Sequence, residues 1–318
     1  MTKPLKRRVI GYRWAIVYRS AVNLVSRILF VVLIGLLFTP LTQADPVHVT
    51  IVLSEEGGAY DVFTEVLRGK LESSRFVWSV NRAGDVLAES DLYVAVGMKA
   101  ASELAAKTSP VFNVFVPKVG YDKLPRDSIT RASSNSAIYL DQPIERQLAL
   151  LRSVLPTVKH VGLLYAVPPA GLSTLRRMAI EKNLVLHEKM VGQAQVLADA
   201  LDEVLEVSEA LLAVPDTNIY NSATIRNILL TSYRKQVPLI GISQAYVKAG
   251  ALCAIYSTPA QIADQAAEAI KQFSASGKLP PSQYAKEFEV SVNSQVARSL
   301  NLTIKDVDEL RNEIRRNP

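Results

Sequence analysis

The sequence predicts an α/β protein built from two doubly wound parallel-sheet lobes that are joined by a multi-strand hinge. Short apolar runs, typical of strands buried on both faces, alternate with segments of helical periodicity. This alternation occurs in two successive series, one on each side of residue 140. Later segments must return to one or both sheets, and 318 residues suffice for two domains of ordinary size.

The first series begins with a β-rich run at 48–60 that ends in a Ser-Glu-Glu-Gly-Gly turn. Apolar residues at helical spacing follow, so a helix is predicted after the turn. A second strand is predicted at 91–98, followed by a helix rich in small residues. A third strand, at 110–117, is closed by proline.

The second series continues the same rhythm. Predicted helices lie at 143–156, 172–183, 200–207 and 221–236, and predicted strands at 160–166, 184–191, 210–215, 237–243 and 250–257. A long helix at 259–276, a turn at 277–282, a strand at 286–293 and a short helical tail complete the pattern.

The N-terminal block is typical of a secretory signal. Seven of the 36 basic residues precede Asp45, the first acidic residue, and an apolar run occupies 28–38. Thr42 and Ala44 suit a cleavage site, which predicts a signal peptide at 1–44 and a periplasmic protein. The apolar run is short for a membrane span, but an uncleaved inner-membrane anchor stays as the alternative.

The remaining chain carries 29 basic against 30 acidic residues, so it offers no footprint for nucleic acid. Cys253 is the single cysteine, which excludes an intrachain disulfide. Its apolar surroundings predict a buried structural thiol. No cysteine follows the apolar run, so no lipid attachment is expected there.

Polar side chains collect where the predicted strands end. In open α/β sheets, ligands bind outside the carboxyl ends of the strands, where loops and helix N-termini converge. The candidate ligand-binding residues are Ser54, Glu55, Tyr60, Asp141, Tyr165, Asp216, Thr217, Asn221, Ser243 and Tyr256. Helix capping is an equally good explanation for Ser54, Asp141, Thr217 and Ser243, and Tyr60 and Tyr165 could simply pack on a lobe surface.

Enzyme chemistry finds little support. His48, His160 and His187 lie near strand starts or inside strands, away from the carboxyl ends. The sequence has no metal-ligand spacing, no nucleophile elbow and no phosphate-binding glycine pattern, so neither a metal nor a cofactor is expected.

Four segments resemble the substrate-binding proteins of a family of bacterial ABC importers, the one that includes tryptophan-binding members. They are "LPTVKHVGLLY" (155–165), "LLAVPDTNIYNSATIRNILL" (211–230), "VPLIGISQAYVKAGALCAIYSTPAQIADQAAEAI" (237–270) and "VNSQVARSLNLTI" (292–304). Residues 45–135 match less well, and "ITRASSN" stands where relatives carry a Thr-Gly segment.

The resemblance implies a type I periplasmic-binding-protein fold, with two Rossmann-like lobes that close on a ligand. Lobe one would comprise 45–139 plus 256–284, and lobe two 140–255 plus 285–318. Asp216 would meet a ligand amine or hydroxyl, helix N-termini a carboxylate, and the three tyrosines an apolar portion. This mix suits an amino acid or similar zwitterion.

The resemblance also implies a monomer that presents a small molecule to an ABC permease in the inner membrane, without catalysis. Two alternatives remain at this point. One is an envelope-anchored sensory or partner protein on the same fold, without transport. The other is an enzyme acting in the cleft, which would need Glu55, Asp141 or Asp216 to have a raised pKa and a catalytic partner.

Overall fold

The computed structural model describes residues 45–72, 75–125, 135–192 and 197–316. The predicted signal peptide at 1–44 lies outside the described residues. From Pro46 onward the chain forms one compact unit that contains two six-stranded sheets. Among the described helices, none combines the length and apolar character that crossing a membrane requires.

The first sheet has the order β11-β5-β4-β3-β1-β2, and its described pairings are parallel. Its strands are β1 (Val47–Leu53), β2 (Phe76–Arg82), β3 (Leu92–Val96), β4 (Val111–Val116), β5 (Asn135–Tyr139) and β11 (Gln283–Tyr284). The helices of this stretch are α1 (Gly58–Lys70), α2 (Met98–Leu104) and α3 (Lys118–Asp122). The central strands are buried throughout, as parallel strands covered on both faces should be.

The second sheet has the order β12-β10-β9-β8-β6-β7. Its strands are β6 (His160–Tyr165), β7 (Val185–Met190), β8 (Ala210–Leu212), β9 (Leu239–Gly241), β10 (Cys253–Tyr256) and β12 (Glu289–Val292). Its helices are α4 (Ile144–Val154), α5 (Leu172–Glu181), α6 (Leu197–Glu206), α7 (Ile225–Arg234), α8 (Gln244–Ala249), α10 (Ser294–Ser299) and α11 (Val307–Arg316). All described pairings are parallel except that of β12 with β10.

The chain passes between the sheets three times. It leaves the first sheet after β5, leaves the second after β10, and returns to the second between β11 and β12. The long helix α9 (Pro259–Ser276) follows β10 but packs against α1 of the first sheet, where Ile262 and Ile270 join Phe63 and Leu67 in one core. A separate core lies around the second sheet, and α11 contributes to it.

The structure agrees with most predicted elements and adds some that the sequence pattern hid. Strands β2 and β5 of the first sheet are among these additions. Strand β2 itself mixes polar and apolar residues, and β5 lies beside residues that the structure does not describe. The helix expected from 221 begins only at Ile225, because Asn221 and Thr224 form a turn before it. Residues 83–91 connect β2 to β3 without a helix, so β2 is thinly covered.

Candidate ligand-binding site

A cavity of about 180 Å³ lies over the carboxyl ends of β8, β9 and β10, beside the first passage between the sheets. This is the edge at which a ligand is expected in an open α/β sheet. The lining residues are Leu140, Asp141, Gln142, Gln147, Leu212, Ala213, Pro215, Ile240, Gly241, Ile242, Ser243 and Ile255. The walls are therefore mainly apolar, with a few polar groups that can orient a bound molecule.

Gln147 also lines this cavity. The side chain is 8% exposed, and its Nε2 donates to the carbonyl of Gln142 at 2.9 Å. Its Oε1 is buried and has no hydrogen-bond partner among the described residues. An unsatisfied buried acceptor is costly, so this oxygen is an exception among buried polar groups. The sequence analysis missed Gln147 because the residue lies in a helical pattern rather than at a strand end.

Asp141 adds a carboxylate to the same cavity. One of its oxygens accepts the backbone N–H of Lys118 at 2.5 Å, so Asp141 caps the start of α3. Burial raises the pKa of this carboxyl, an effect that the Lys118 hydrogen bond and charge oppose. A cationic ligand group nearby would favour the charged form again. Ser243 borders the cavity as well and precedes α8.

At the first sheet, Ser54 and Tyr60 meet at Gly97. Ser54 Oγ accepts the backbone N–H of Ala100 at 3.0 Å. Gly97 has φ +89°, and a Cβ there would lie 2.5 Å from the Tyr60 hydroxyl and 2.6 Å from Ser54 Oγ. The close approach of these groups therefore requires glycine.

Three aromatic rings pack together beside this junction. The Tyr60 ring lies 5.5 Å from that of Phe115, which also makes an edge contact with Phe63 at 5.4 Å. Phe115 has φ +57°, at the point where the register between β4 and β5 shifts. A bulky residue in this backbone region is strained, and such strain is concentrated at functional sites. Burial and the charge of Glu55 raise the pKa of Tyr60, so its hydroxyl stays a neutral donor.

Asp216, predicted to meet a ligand amine, braces a loop in the structure. One carboxylate oxygen accepts the backbone N–H groups of Ala166 and Val167 at 2.7 and 3.0 Å. The other accepts that of Asn218 at 3.0 Å. These three bonds explain the conformation of the chain after β6 and β8. The ligand contact predicted for Asp216 remains a prediction, and the cavity lining includes Asp141 instead.

Thr217 and Asn221 form the turn that precedes α7. Asn221 Oδ1 accepts the backbone N–H of Ala223 at 2.9 Å, and its Nδ2 donates to the carbonyl of Thr217 at 2.8 Å. The Thr217 side chain is exposed. Hydrogen bonds to the local backbone therefore account for the Asn221 side chain, while a ligand role for either residue stays a prediction.

The two other predicted tyrosines are tied to neighbouring strands. Tyr165 donates its hydroxyl to Glu188 at 2.9 Å, and Arg176 forms a bidentate pair with the same carboxylate. Burial and the Glu188 hydrogen bond raise the pKa of Tyr165. The Tyr256 hydroxyl lies 2.8 Å from Ser291 Oγ, across the β10–β12 pair. Glu55 is exposed, two residues after the carboxyl end of β1.

A polar network joins the three passages between the sheets. Gln142 Nε2, from the first passage, donates to Ser257 Oγ of the second at 2.9 Å. Arg146 donates to Gln142 Oε1 at 3.1 Å and to the carbonyl of Ala285, in the third, at 2.8 Å. It also reaches the carbonyl of Lys286 at 3.0 Å. One guanidinium thus contacts the first and third passages directly, and the second through Gln142.

The structure brings together only some of the predicted residues. Asp141 and Ser243 share the cavity, and Ser54 and Tyr60 share the junction at Gly97. Within the described ranges, no group of three or more His, Cys, Asp or Glu residues could hold a metal ion. Cys253 is fully buried, and burial raises the pKa of its thiol, which suits the structural role predicted for it.

The comparisons with known proteins agree with this geometry. A family model described as ABC transporter substrate binding protein matches residues 87–310. A search of curated proteins gives no significant match over this sequence.

Three solved structures share the fold. A conserved domain protein from Vibrio cholerae is 21% identical, with a TM-score of 0.64 over 84% of this chain and 98% of that one. The ABC domain in complex with L-Trp from Streptococcus pneumonia is 16% identical, with a TM-score of 0.65 and the same coverages. A ligand-free, open substrate binding protein with adhesive properties from Clostridium difficile is 14% identical, with a TM-score of 0.64 over 82% and 96%.

These similarities agree with the two-sheet architecture, which is that of type I periplasmic binding proteins. The family model spans well over half of the chain, including the cavity and the three passages between the sheets. The chain belongs to the family of ABC transporter substrate binding proteins.

Proposed function

We propose that this protein is the periplasmic solute-binding component of an ABC importer and that it binds an amino acid or a similar zwitterion. The observation that carries the ligand class is that Asp141 and Gln147, which both have acceptor oxygens, line the same mainly apolar cavity. Two acceptors together favour a ligand ammonium group. The aliphatic walls favour an apolar portion on the same molecule.

The proposal assigns residues 45–139 plus 256–284 to lobe one and 140–255 plus 285–318 to lobe two. Ser54 and Tyr60 would contribute hydroxyl groups from lobe one when the lobes approach each other. Domain closure would bend the three passages, which are short and joined by the Arg146 network. The loaded protein would present its ligand to a permease in the inner membrane, and no step of this cycle requires catalysis.

The test is a thermal-unfolding screen against amino acids, short peptides, nucleosides and sugars. A ligand at 100 times its dissociation constant stabilises a protein by about 2.7 kcal/mol, which gives a clear shift of the midpoint. We expect an amino acid or related zwitterion to give that shift, and Asp141→Asn to abolish it. A panel that stays silent on protein stripped of any co-purified ligand would contradict the proposal.

The matched control is Asp306→Asn. Asp306 also accepts a backbone N–H at the start of a helix, that of Asp308 at 2.8 Å, but does not line the cavity. Asparagine keeps an acceptor oxygen, so this variant removes a charge without removing the cap; it should change the free energy of unfolding little and leave ligand affinity unchanged. If both variants lose the ligand-induced shift equally, the effect belongs to stability and not to recognition.

A further inference from the structure

Within the described ranges, no strand pairs with the outer side of β2, and most of its side chains are exposed or half-buried. It is the last strand of the first sheet, so its outer row of backbone N–H and C=O groups faces away from β1. Its sequence, FVWSVNR, contains neither proline nor lysine. Val77 and Val80 are 44% and 42% exposed. Proteins normally protect such an edge, so an unprotected one is suited to pair with another strand.

A groove of about 770 Å³ runs along β2 beside α1. Its lining includes Phe76, Trp78 and Val80 from β2, and Asp61 and Arg68 from α1. This groove is separate from the ligand cavity, with which it shares no lining residue. Large apolar surfaces rimmed by polar groups are typical of protein interaction sites.

The charges on α1 are complementary to those of a second α1 that runs in the opposite direction. Asp61 lies in the first turn of α1 and Arg68 in the last, and both are exposed. The midpoint between them falls between Thr64 and Glu65. A second α1 running in the opposite direction, related by a two-fold axis at that midpoint, therefore places each Asp61 opposite the other copy's Arg68.

The same axis passes through the middle of β2. Leu53, before α1, is in register with Arg82, and α1 ends shortly before β2 begins at Phe76. The middle of α1 is thus level with Ser79, the central residue of β2. An axis at Ser79 pairs β2 with its copy in antiparallel fashion and puts Trp78 across from the copy's Val80.

We propose that a second copy of this chain docks here, with β2 paired to β2 and the two α1 helices antiparallel above the joined sheet. Such a contact is isologous, so it closes at two copies. It departs from the monomer that the family resemblance implies, and it does not depend on the ligand or on the proposed transport role. The cavity over β8, β9 and β10 belongs to the other sheet and remains free.

Sedimentation velocity of the purified protein over a range of concentrations tests the proposal. We expect a monomer–dimer equilibrium, with a dissociation constant raised about tenfold or more by either Asp61→Arg or Arg68→Asp. An equimolar mixture of the two variants should recover the dimer, because the introduced arginine of one copy then faces the introduced aspartate of the other. The double variant should recover it alone.

Glu103→Arg is the control, since Glu103 is exposed on α2, away from the groove. It should leave the equilibrium unchanged. Circular dichroism checks that each variant folds, and recovery in the mixture is itself evidence of folding. A monomer at every concentration, or a dimer indifferent to the single variants, overturns the proposal. Monomers that bind a β2-like peptide instead would mean that the edge serves a different protein partner.

Discussion

Arg146 is the side chain through which the three passages between the sheets are joined, and replacing it with methionine should loosen them. Methionine keeps an unbranched stem in the helix but removes every donor. The variant loses the hydrogen bonds to Gln142 Oε1 and to the carbonyls of Ala285 and Lys286. It also loses the contact of the guanidinium with the ring of Phe288, whose centroid lies 4.7 Å away.

The expected destabilisation follows from these contacts. Hydrogen bonds to a charged group contribute about 1.5–3 kcal/mol each when buried, and less when water can replace the donor. Arg146 is half-buried, so water can replace part of its hydrogen bonding, and burial lowers the pKa of its guanidinium. Taking about 0.5–1 kcal/mol for each of three bonds, with a similar contribution from the ring contact, gives a loss of about 2–4 kcal/mol.

The assay compares urea unfolding and ligand titration for Arg146→Met and Arg152→Met. Arg152 lies on the same helix and donates to the carbonyls of Pro156, Val158 and Lys182, all around the second sheet. Both variants should unfold more easily. Only Arg146→Met should weaken ligand binding. The dissociation constant should rise about tenfold for each 1.4 kcal/mol by which the variant destabilises the closed, ligand-bound form. Equal effects of the two variants on affinity would refute the assignment of Arg146 to the hinge.

Three further predictions concern single groups. Gly97→Ala should lower the free energy of unfolding by about 2–4 kcal/mol in chemical denaturation, because the backbone becomes strained and the Tyr60 hydroxyl must move; an unchanged midpoint would contradict this. Arg176 holds the pKa of Glu188 below its usual value, so this carboxylate stabilises the fold above about pH 4.3 and the contribution fades as the pH falls through the lowered pKa. Glu188→Gln should therefore flatten the acid limb of the stability curve, and an identical limb would argue against the pair. Cys253 should react with a thiol reagent only at the rate of unfolding; rapid labelling of the folded protein would show that the strand opens locally.

The sequence predicted the architecture because its apolar strands and amphipathic helices are strongly periodic. The run 91–98 contains β3 (Leu92–Val96), and the long pattern at 259–276 coincides with α9. Prediction failed where the local signal was weak. In β2, Ser79 and Asn81 break up the apolar run, and β11 is a strand of two residues whose pairing depends on the tertiary fold.

The candidate site was harder to predict, for a physical reason. A polar residue at a strand end can serve the backbone or a ligand, and sequence does not distinguish these uses. Asp216 and Asn221 both satisfy nearby backbone N–H groups. Gln147 carried no signal, since a glutamine inside an amphipathic helix is common. It lines the cavity because of three-dimensional packing, which the local sequence pattern does not show.

The path of the chain also bears on how the protein folds. Phe288 and β12 complete the second sheet and its core, and α11 packs against α4 from more than 140 residues later in the sequence. The core of the second sheet therefore depends on contacts of high sequence separation, and such contacts slow folding. A folding chain in which β12 has not yet docked keeps an open edge on β10. Any factor that binds the unfinished protein has a defined target in that edge.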